Sequence, residues 1–347
     1  MSTLLPAPVL PAPRTVPGVR HAVEVLEGAA AVAAALPEAE RLAAALGQPL
    51  TARLPWWRAR LSVQPEAAPW AVLVRGATGC AAAAALTDEP DPALPGARRS
   101  VLLSGGGGYL AGVAAAPAAA ADLGRALAAG AAARGTRLEL VDLPDDATTR
   151  ALAAGAGAVV EPLAPVPVLH RPAPGTEPVA LLSHGTRKTL RKSRNRITTD
   201  GVAARLGFTA DAAELEALLP ELESAYRDRD DAHGLACALD TAAGRGAWLA
   251  RVRELSAAGA LEAATLHLDG ELAAYVLGVR DGERYGVLEG RFRTRFARYA
   301  PGRLLEFCVL DRALRTDGVR LLDWMTGVAP ETLLAADGAD ARVAVRT

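Results

Sequence analysis

The chain has 347 residues and a formal net charge of −1, with 51% of its residues apolar and 22% charged. This balance excludes a disordered chain and a generic nucleic-acid coat, and the length suits two domains of ordinary size. Cys80, Cys237 and Cys308 stand far apart in no paired spacing, so no disulfide framework and no metal site is expected, and a reducing, cytoplasmic setting fits.

Residues 1–20 are rich in proline and lack the basic start and apolar run of a signal peptide, so they read as a flexible arm. Glu24–Leu46 carries helical spacing, with Leu36, Leu42 and Leu46 among alanines. Leu54-Pro55-Trp56-Trp57 reads as a loop or a helix start anchored by tryptophans. Ala71–Val74 and Cys80–Leu86 form a hairpin about Ala77-Thr78-Gly79, and Ser100–Ser104 is a third strand before Gly105–Gly108. Asp122 and Arg125 interrupt the apolar stretch Ala114–Ala133, which excludes a membrane span and leaves a buried helix over Pro117–Arg134. Strand Arg137–Leu143 completes a strand–helix–strand unit. The prolines of Pro162–Pro174 read as a linker.

The second half repeats this order. Helices are expected over Gly185–Arg196, Asp211–Arg229 and Ala247–Ala257. Strands Leu261–Leu268, Glu271–Arg280 and Arg284–Glu289 follow, joined at Asp269-Gly270 and Asp281-Gly282, dipeptides that favour hairpin turns. The loop Arg291–Gly302 then leads to helix Arg303–Thr316 and strand Val319–Trp324. The chain therefore divides into the arm, a first lobe at 21–161, a linker at 162–178 and a second lobe at 179–347, the two lobes an internal duplication. The fold class is α/β (α+β), each lobe a mixed, mostly antiparallel sheet flanked by helices.

Three stretches of the second lobe point to an anionic ligand. A helix starting after Ala300-Pro301-Gly302-Arg303 offers unpaired N–H groups and partial positive charge, and the glycine lets an oxygen come close, as phosphate binding requires. The preceding loop interleaves Arg291, Arg293, Arg295 and Arg298 with Phe292, Phe296 and Tyr299; arginine forks bind phosphate and aromatic faces stack on bases. His184–Arg196 holds Arg187, Lys188, Arg191, Lys192, Arg194 and Arg196 with no acidic residue until Asp200, and both lysines of the chain lie there. On a helix these form adjacent like-charged stripes, which a polyphosphate or nucleic-acid backbone would hold. Each stretch also has a plainer reading: a loop-to-helix joint, an exposed arginine loop over core aromatics, and a solvated helix face. Gly105–Gly108 lacks the lysine and threonine of a phosphate-binding loop, so the first lobe is read as the acceptor side.

Thr189–Arg196, Gly259–Gly270, Tyr299-Ala300-Pro301-Gly302 and Gly318–Trp324 together resemble the GNAT superfamily, in its CelD-like branch and the related Fem-type aminoacyl-tRNA-dependent transferases. Pro55-Trp56-Trp57 and Ala71–Leu86 look like the usual partner lobe. Two departures stand out. The arginine-x-x-glycine-x-glycine/alanine signature for acetyl-CoA is absent, and no lysine follows Asp323-Trp324-Met325-Thr326-Gly327.

The resemblance implies acyl transfer to an amine, with the donor carbonyl in the splay between two central strands, one of them Arg284–Glu289. Glu289 is then the first candidate base or amine anchor and Asp323 the second, each of them equally readable as an ordinary strand-end carboxylate pairing with a neighbouring arginine. Tyr285 is a candidate donor to the leaving group, and His233 could reach the acceptor. Arg187, Lys188, Arg191, Lys192, Arg194, Arg295, Arg298, Tyr299, Gly302 and Arg303 are the candidate donor-binding residues. The expected donor is an aminoacyl-tRNA, the acceptor a small-molecule amine, perhaps inside specialised metabolism, and no cofactor is tightly bound. An acyl-CoA donor is the alternative, and a non-catalytic nucleic-acid-binding scaffold is a third reading.

Overall fold

The computed structural model describes residues 21–63, 68–105, 108–325 and 333–347. The arm expected at 1–20, Gly106, Gly107, Thr326 and Gly327 lie outside them. The chain forms two compact units, residues 1–164 with 341–347, and residues 165–340. The second lobe therefore does not run to the C-terminus as expected: its last residues belong with the first unit.

The first unit contains β1 (Ala22–Glu27), α1 (Ala29–Ala45), α2 (Leu54–Ser62), β2 (Trp70–Gly76), β3 (Gly79–Pro90) and β4 (Arg98–Leu102). The short β5 (Ala114–Ala115), α3 (Ala120–Ala133), β6 (Arg137–Pro144) and α4 (Ala147–Ala156) follow, and then β7 (Val159–His170) begins. The second unit contains α5 (His184–Thr199), β8 (Ala204–Thr209), α6 (Ala212–Ala232), α7 (Ala242–Ala257), β9 (Leu261–Leu268), β10 (Glu271–Asp281) and β11 (Arg284–Phe292). It ends with α8 (Pro301–Arg315), β12 (Leu321–Asp323) and the start of β13 (Gly338–Arg346).

The two sheets have the same topology. The first runs β1-β2-β3-β4-β6-β13 and the second β8-β9-β10-β11-β12-β7. Each is an antiparallel run of four strands, then a parallel partner (β4 with β6, β11 with β12) across a crossover helix, then an antiparallel sixth strand. The sixth strand is β13 in the first unit and β7 in the second.

Two expectations fail here. Residues 22–27 were assigned partly to a helix, but they pair with β2; Gly28 at φ 86° separates them from the alanine-rich α1. The proline segment is no linker up to His170, because β7 pairs with β12. A proline lacks only its donor, and the Pro167 carbonyl still accepts the Trp324 N–H.

Alternation explains the first core. Trp70, Val72 and Val74 pack with Leu123, Leu127 and Leu152 of α3 and α4, while Ala71 and Leu73 pack with Leu36 and Trp57 of α1 and α2. Burial on both faces overrides the helix preference of Ala81–Ala85 in β3. In the second unit, Ala264, Leu266, Ala274, Val276 and Tyr285 face Leu304, Leu305 and Val309 of α8. The Asp269-Gly270 turn has φ 50° and 81°, the left-handed pair that a tight hairpin requires. Among the described residues, no helix is long and apolar enough to cross a membrane, and no His, Cys, Asp and Glu group is arranged to hold a metal ion.

Candidate functional site

Helix α8 begins at a break that the sequence itself dictates. Ala300 takes a left-handed conformation (φ 46°, ψ 52°), Pro301 occupies the first turn, and no side chain caps the helix start. A left-handed alanine costs about 1 kcal/mol or more, and such strain concentrates at functional positions. The first N–H groups of the helix thus have no side-chain cap among the described residues, an arrangement whose partial positive charge suits an anion.

A cavity of about 340 Å³ opens beside it, lined by Gly302, Arg303 and Glu306 of α8, Val276 and Tyr275 of β10, Gly290, Arg291 and Phe292 of β11, and Arg229 of α6. Among the described residues, strand β12 pairs with β11 from Arg284 to Gly286. The rest of β11, up to Phe292, runs on past that pairing toward the cavity.

A β-bulge decides which residues reach which face. Leu277 pairs with Glu289 but Gly278 pairs with Val287, so Leu288 is the extra residue in β11. Before it, Tyr285 points to the α8 side, where its hydroxyl donates to Glu262 (3.2 Å) and Arg312 of α8 pairs with the same carboxylate (2.7 Å). After it, Glu289 points to the α6–α7 side. Its Oε1 accepts from Tyr275 (2.7 Å) and from Trp248 Nε1 (3.1 Å), and Arg251 stands 3.8 Å from Oε2. Burial and the Glu289 charge hold the Tyr275 hydroxyl well above its ordinary value.

The three carboxyl and phenol candidates are therefore not brought together. Glu289 is buried beside the cavity rather than in its wall, with Tyr275 between. Asp323 is not an open carboxylate at a strand end: it accepts from Arg284 (2.7 Å) and from the Met325 N–H (2.7 Å). Tyr285 is committed to Glu262, and burial, with that neighbouring charge, raises its pKa. His233 is exposed, its Nδ1 2.8 Å from the Arg229 carbonyl.

The donor-binding candidates also separate. Gly302 and Arg303 line the cavity. Arg295 pairs instead with Glu271, and Arg298 with Asp200. Tyr299 is buried and its hydroxyl donates to the same Asp200 (2.9 Å), while Arg196 donates to the Arg298 carbonyl. These groups fasten the turn before α8 to the end of α5; none of them lines the cavity. Arg194 lies 5.7 Å from the Phe307 ring centre and lines a second cavity, of about 520 Å³, along the side of α8. Arg187, Lys188, Arg191 and Lys192 are exposed on α5 and have no acidic partner among the described residues.

Two cavity residues were missed by sequence reasoning. Glu306 lies one turn beyond Gly302 on the same face of α8, and a glutamate inside an amphipathic helix gives no other signal. Burial pushes its carboxyl up to about 7, against the pull of Arg303. Arg229 was read only as the end of a helix.

The Glu306 shift has a testable sign. Its folded pKa is raised, so between about 4.5 and 7 the folded chain keeps a proton that the unfolded chain has lost. The group thus costs stability increasingly across that window and by a constant amount above it. Glu306→Gln is expected to match the parent in thermal unfolding near about pH 4 and to exceed it progressively up to neutrality. A difference in Tm that is constant with pH would show that Glu306 does not titrate there.

Among the described residues, the start of the corresponding crossover helix of the first unit is built differently. That helix, α3, carries buried Asp122 in the first turn, bonded to His21 Nδ1 (2.6 Å) and Arg125, so a carboxylate of the protein already occupies the positive end.

Residues 184–331 match the family model described as an acetyltransferase (GNAT) domain. Together with the repeated sheet and the open β11–α8 site, this defines a GNAT-fold acyltransferase with tandem lobes. Among solved structures, FemX is similar over 85% of this chain and 88% of its own, at 11% identity and a TM-score of 0.60. A tandem GNAT protein from the clavulanic acid biosynthesis pathway, solved without acetyl-CoA, matches over 94% and 98%, at 16% identity and a TM-score of 0.50. A conserved protein of unknown function from Bacteroides thetaiotaomicron matches over 80% and 85%, at 11% identity and a TM-score of 0.54. At these identities the structural likeness shows the fold. No curated protein matches the sequence.

Proposed function

We propose that this acyltransferase moves an aminoacyl group from aminoacyl-tRNA to the amine of a small-molecule acceptor. The observation that carries this reading is the exposed basic stripe of α5, where Arg187, Lys188, Arg191 and Lys192 lack acidic partners among the described residues. Like charges at helical spacing repel, and a polyanion longer than the cavity relieves that repulsion. The resemblance of Thr189–Arg196 to Fem-type transferases supports it, as does the Fem-like fold.

In this reading the α8 start and Arg303 hold the phosphate nearest the ester, which places the ester carbonyl beside the stretch of β11 that has no β12 partner among the described residues. The acceptor amine attacks that carbonyl, the backbone N–H groups of β11 stabilise the oxyanion, and the ribose hydroxyl leaves with a proton. Glu306, whose carboxyl changes charge near neutrality, takes the proton that the amine gives up and passes it to the ribose oxygen as the ester bond breaks.

The second reading is an acyl-CoA donor, favoured by the uncapped α8 start, which suits a pyrophosphate equally well. The test is to replace Arg187, Lys188, Arg191 and Lys192 together by glutamate and to measure binding and transfer with aminoacyl-tRNA and acyl-CoA separately. Loss of four phosphate contacts should lower tRNA affinity by about 100-fold or more and flatten its salt dependence, leaving acyl-CoA binding unchanged. Undiminished transfer from acyl-CoA, with no detectable tRNA binding by the parent protein, would establish the second reading instead. Transfer from neither donor would point to the non-catalytic scaffold.

A further inference from the structure

The donor accounts for the α8 side of the cavity and leaves its opposite wall unused. Residues 291 and 292 are neighbours in β11 and point to opposite faces of the sheet. Phe292 lies on the α8 face, where a Cβ built on Gly302 would meet its Cδ1 at 3.3 Å. Arg291 lies on the other face, its guanidinium 4.4 Å from the ring centre of Tyr226 of α6. Arg229 joins it from α6, 5.6 Å from the Phe292 ring centre. The cavity thus has two cationic ends, the α8 start on one face of β11 and an arginine pair on the other.

Arg229 is the less compensated of the two. Arg229 forms no ion pair among the described residues. Arg291 donates from Nη1 to the neighbouring Gly290 carbonyl, its Nε is buried without a hydrogen bond and its ion pair with Asp230 is long, at 3.9 Å; against burial, the Glu289 charge raises its pKa. Burial and the adjacent Arg291 charge both act to lower the Arg229 pKa. Aromatic faces at Tyr226 and Phe292 hold the two planes without neutralising them. Two guanidiniums directed at one space fit an anion with two oxygens in a plane, that is, a carboxylate.

We propose that Arg229 and Arg291 bind the carboxylate of the acceptor, so that the acceptor is an amino acid whose amine faces the donor carbonyl at β11. This rests on the reading of the cavity as a transfer site, and it names the acceptor class that the reading leaves open. The pair comes from α6 and β11 and the other anion site from α8, so the two can be mutated separately.

The test uses the full chain and reads binding, not turnover. Common L-amino acids and 4-aminobutyrate, each beside its carboxamide, are screened by thermal shift and the best binder is titrated by calorimetry. At least one acid should stabilise the protein while its amide does not. Arg229→Gln and Arg291→Gln should each weaken that acid by about 10- to 100-fold, the loss of a charge-assisted pair, without weakening inorganic pyrophosphate at the α8 start. Arg295→Gln, outside the cavity, should change neither. Equal binding of acid and amide, or no binding of any acid, would overturn the assignment. Pyrophosphate lost together with the acid in Arg229→Gln would give the pair to the donor instead. Pyrophosphate that fails to bind the parent, with the acid still binding, would strike the donor reading and leave the carboxylate site standing.

Discussion

Gly302→Val is expected to weaken donor binding by about 100-fold, read with inorganic pyrophosphate or with either donor, while folding is nearly unaffected. The α8 start offers backbone N–H groups with no side-chain cap. A valine there fills the space that the phosphate oxygens need, and two charge-assisted hydrogen bonds of about 1.5 kcal/mol each amount to that loss. Stability moves little, because two small effects oppose each other. Valine is a better helix former than glycine by a few tenths of a kcal/mol. Against that, the new Cβ meets Phe292 Cδ1 at 3.3 Å, so the half-buried ring must give slightly. The net change should stay within about 1 kcal/mol. Unchanged affinity in a variant that unfolds at the parental temperature would reduce this helix start to a joint between loop and helix.

The sequence made the helix start visible because Pro301-Gly302 marks it chemically, whatever surrounds it. It made the hairpins of the second unit visible because Asp-Gly sets their turns. What it hid is what depends on register and on distant chain. Counting by twos from Tyr285 would put Glu289 on the same face of the sheet. The extra residue at Leu288 reverses the phase, and Glu289 turns to Trp248 and Tyr275 instead. No local composition announces that bulge. Asp323 looked available because its partner, Arg284, lies on another strand. Arg295 and Arg298 looked like ligand residues because Glu271 and Asp200 are remote in sequence. Strand β1 was absorbed into the helix beyond it because alanines dominate the window and its pairing with β2 is non-local. In each case the missing term was a tertiary partner, and the same holds for the prolines before His170, which were read as a linker and pair in β7; the Asp-Gly turns and the Pro301-Gly302 helix start act locally and were read directly.

The largest expected effect on folding lies away from the site, where α3 and α4 of the first unit touch backbone to backbone. A Cβ built on Gly124 of α3 would fall 2.0 Å from the Leu152 carbonyl oxygen, and one on Gly155 of α4 would fall 2.0 Å from the Ala121 carbonyl oxygen. The contact is reciprocal, so neither helix can yield without moving the other. Glycine inside a helix costs about 1 kcal/mol relative to alanine, and Gly124→Ala would recover that amount if space allowed. Space does not allow it: ordinary contact needs more than 1 Å of additional separation, by the difference between 2.0 Å and a van der Waals approach of about 3.4 Å or more. Moving α3 outward uncovers Leu123 and Leu127, and moving α4 uncovers Leu152, all fully buried against the sheet. Overpacking of this kind costs about 1–3 kcal/mol and more when backbone is the obstacle, so Gly124→Val should lose at least about 3 kcal/mol. At 2–4 °C per kcal/mol for a unit of this size, the first unfolding transition should fall by roughly 6–12 °C. Gly124→Ala should fall by less, and Gly302→Val should leave that transition in place. A Gly124→Val protein that melts with the parent would mean that the helices are not in contact at these glycines, and the close packing of α3 on α4 would have to be abandoned.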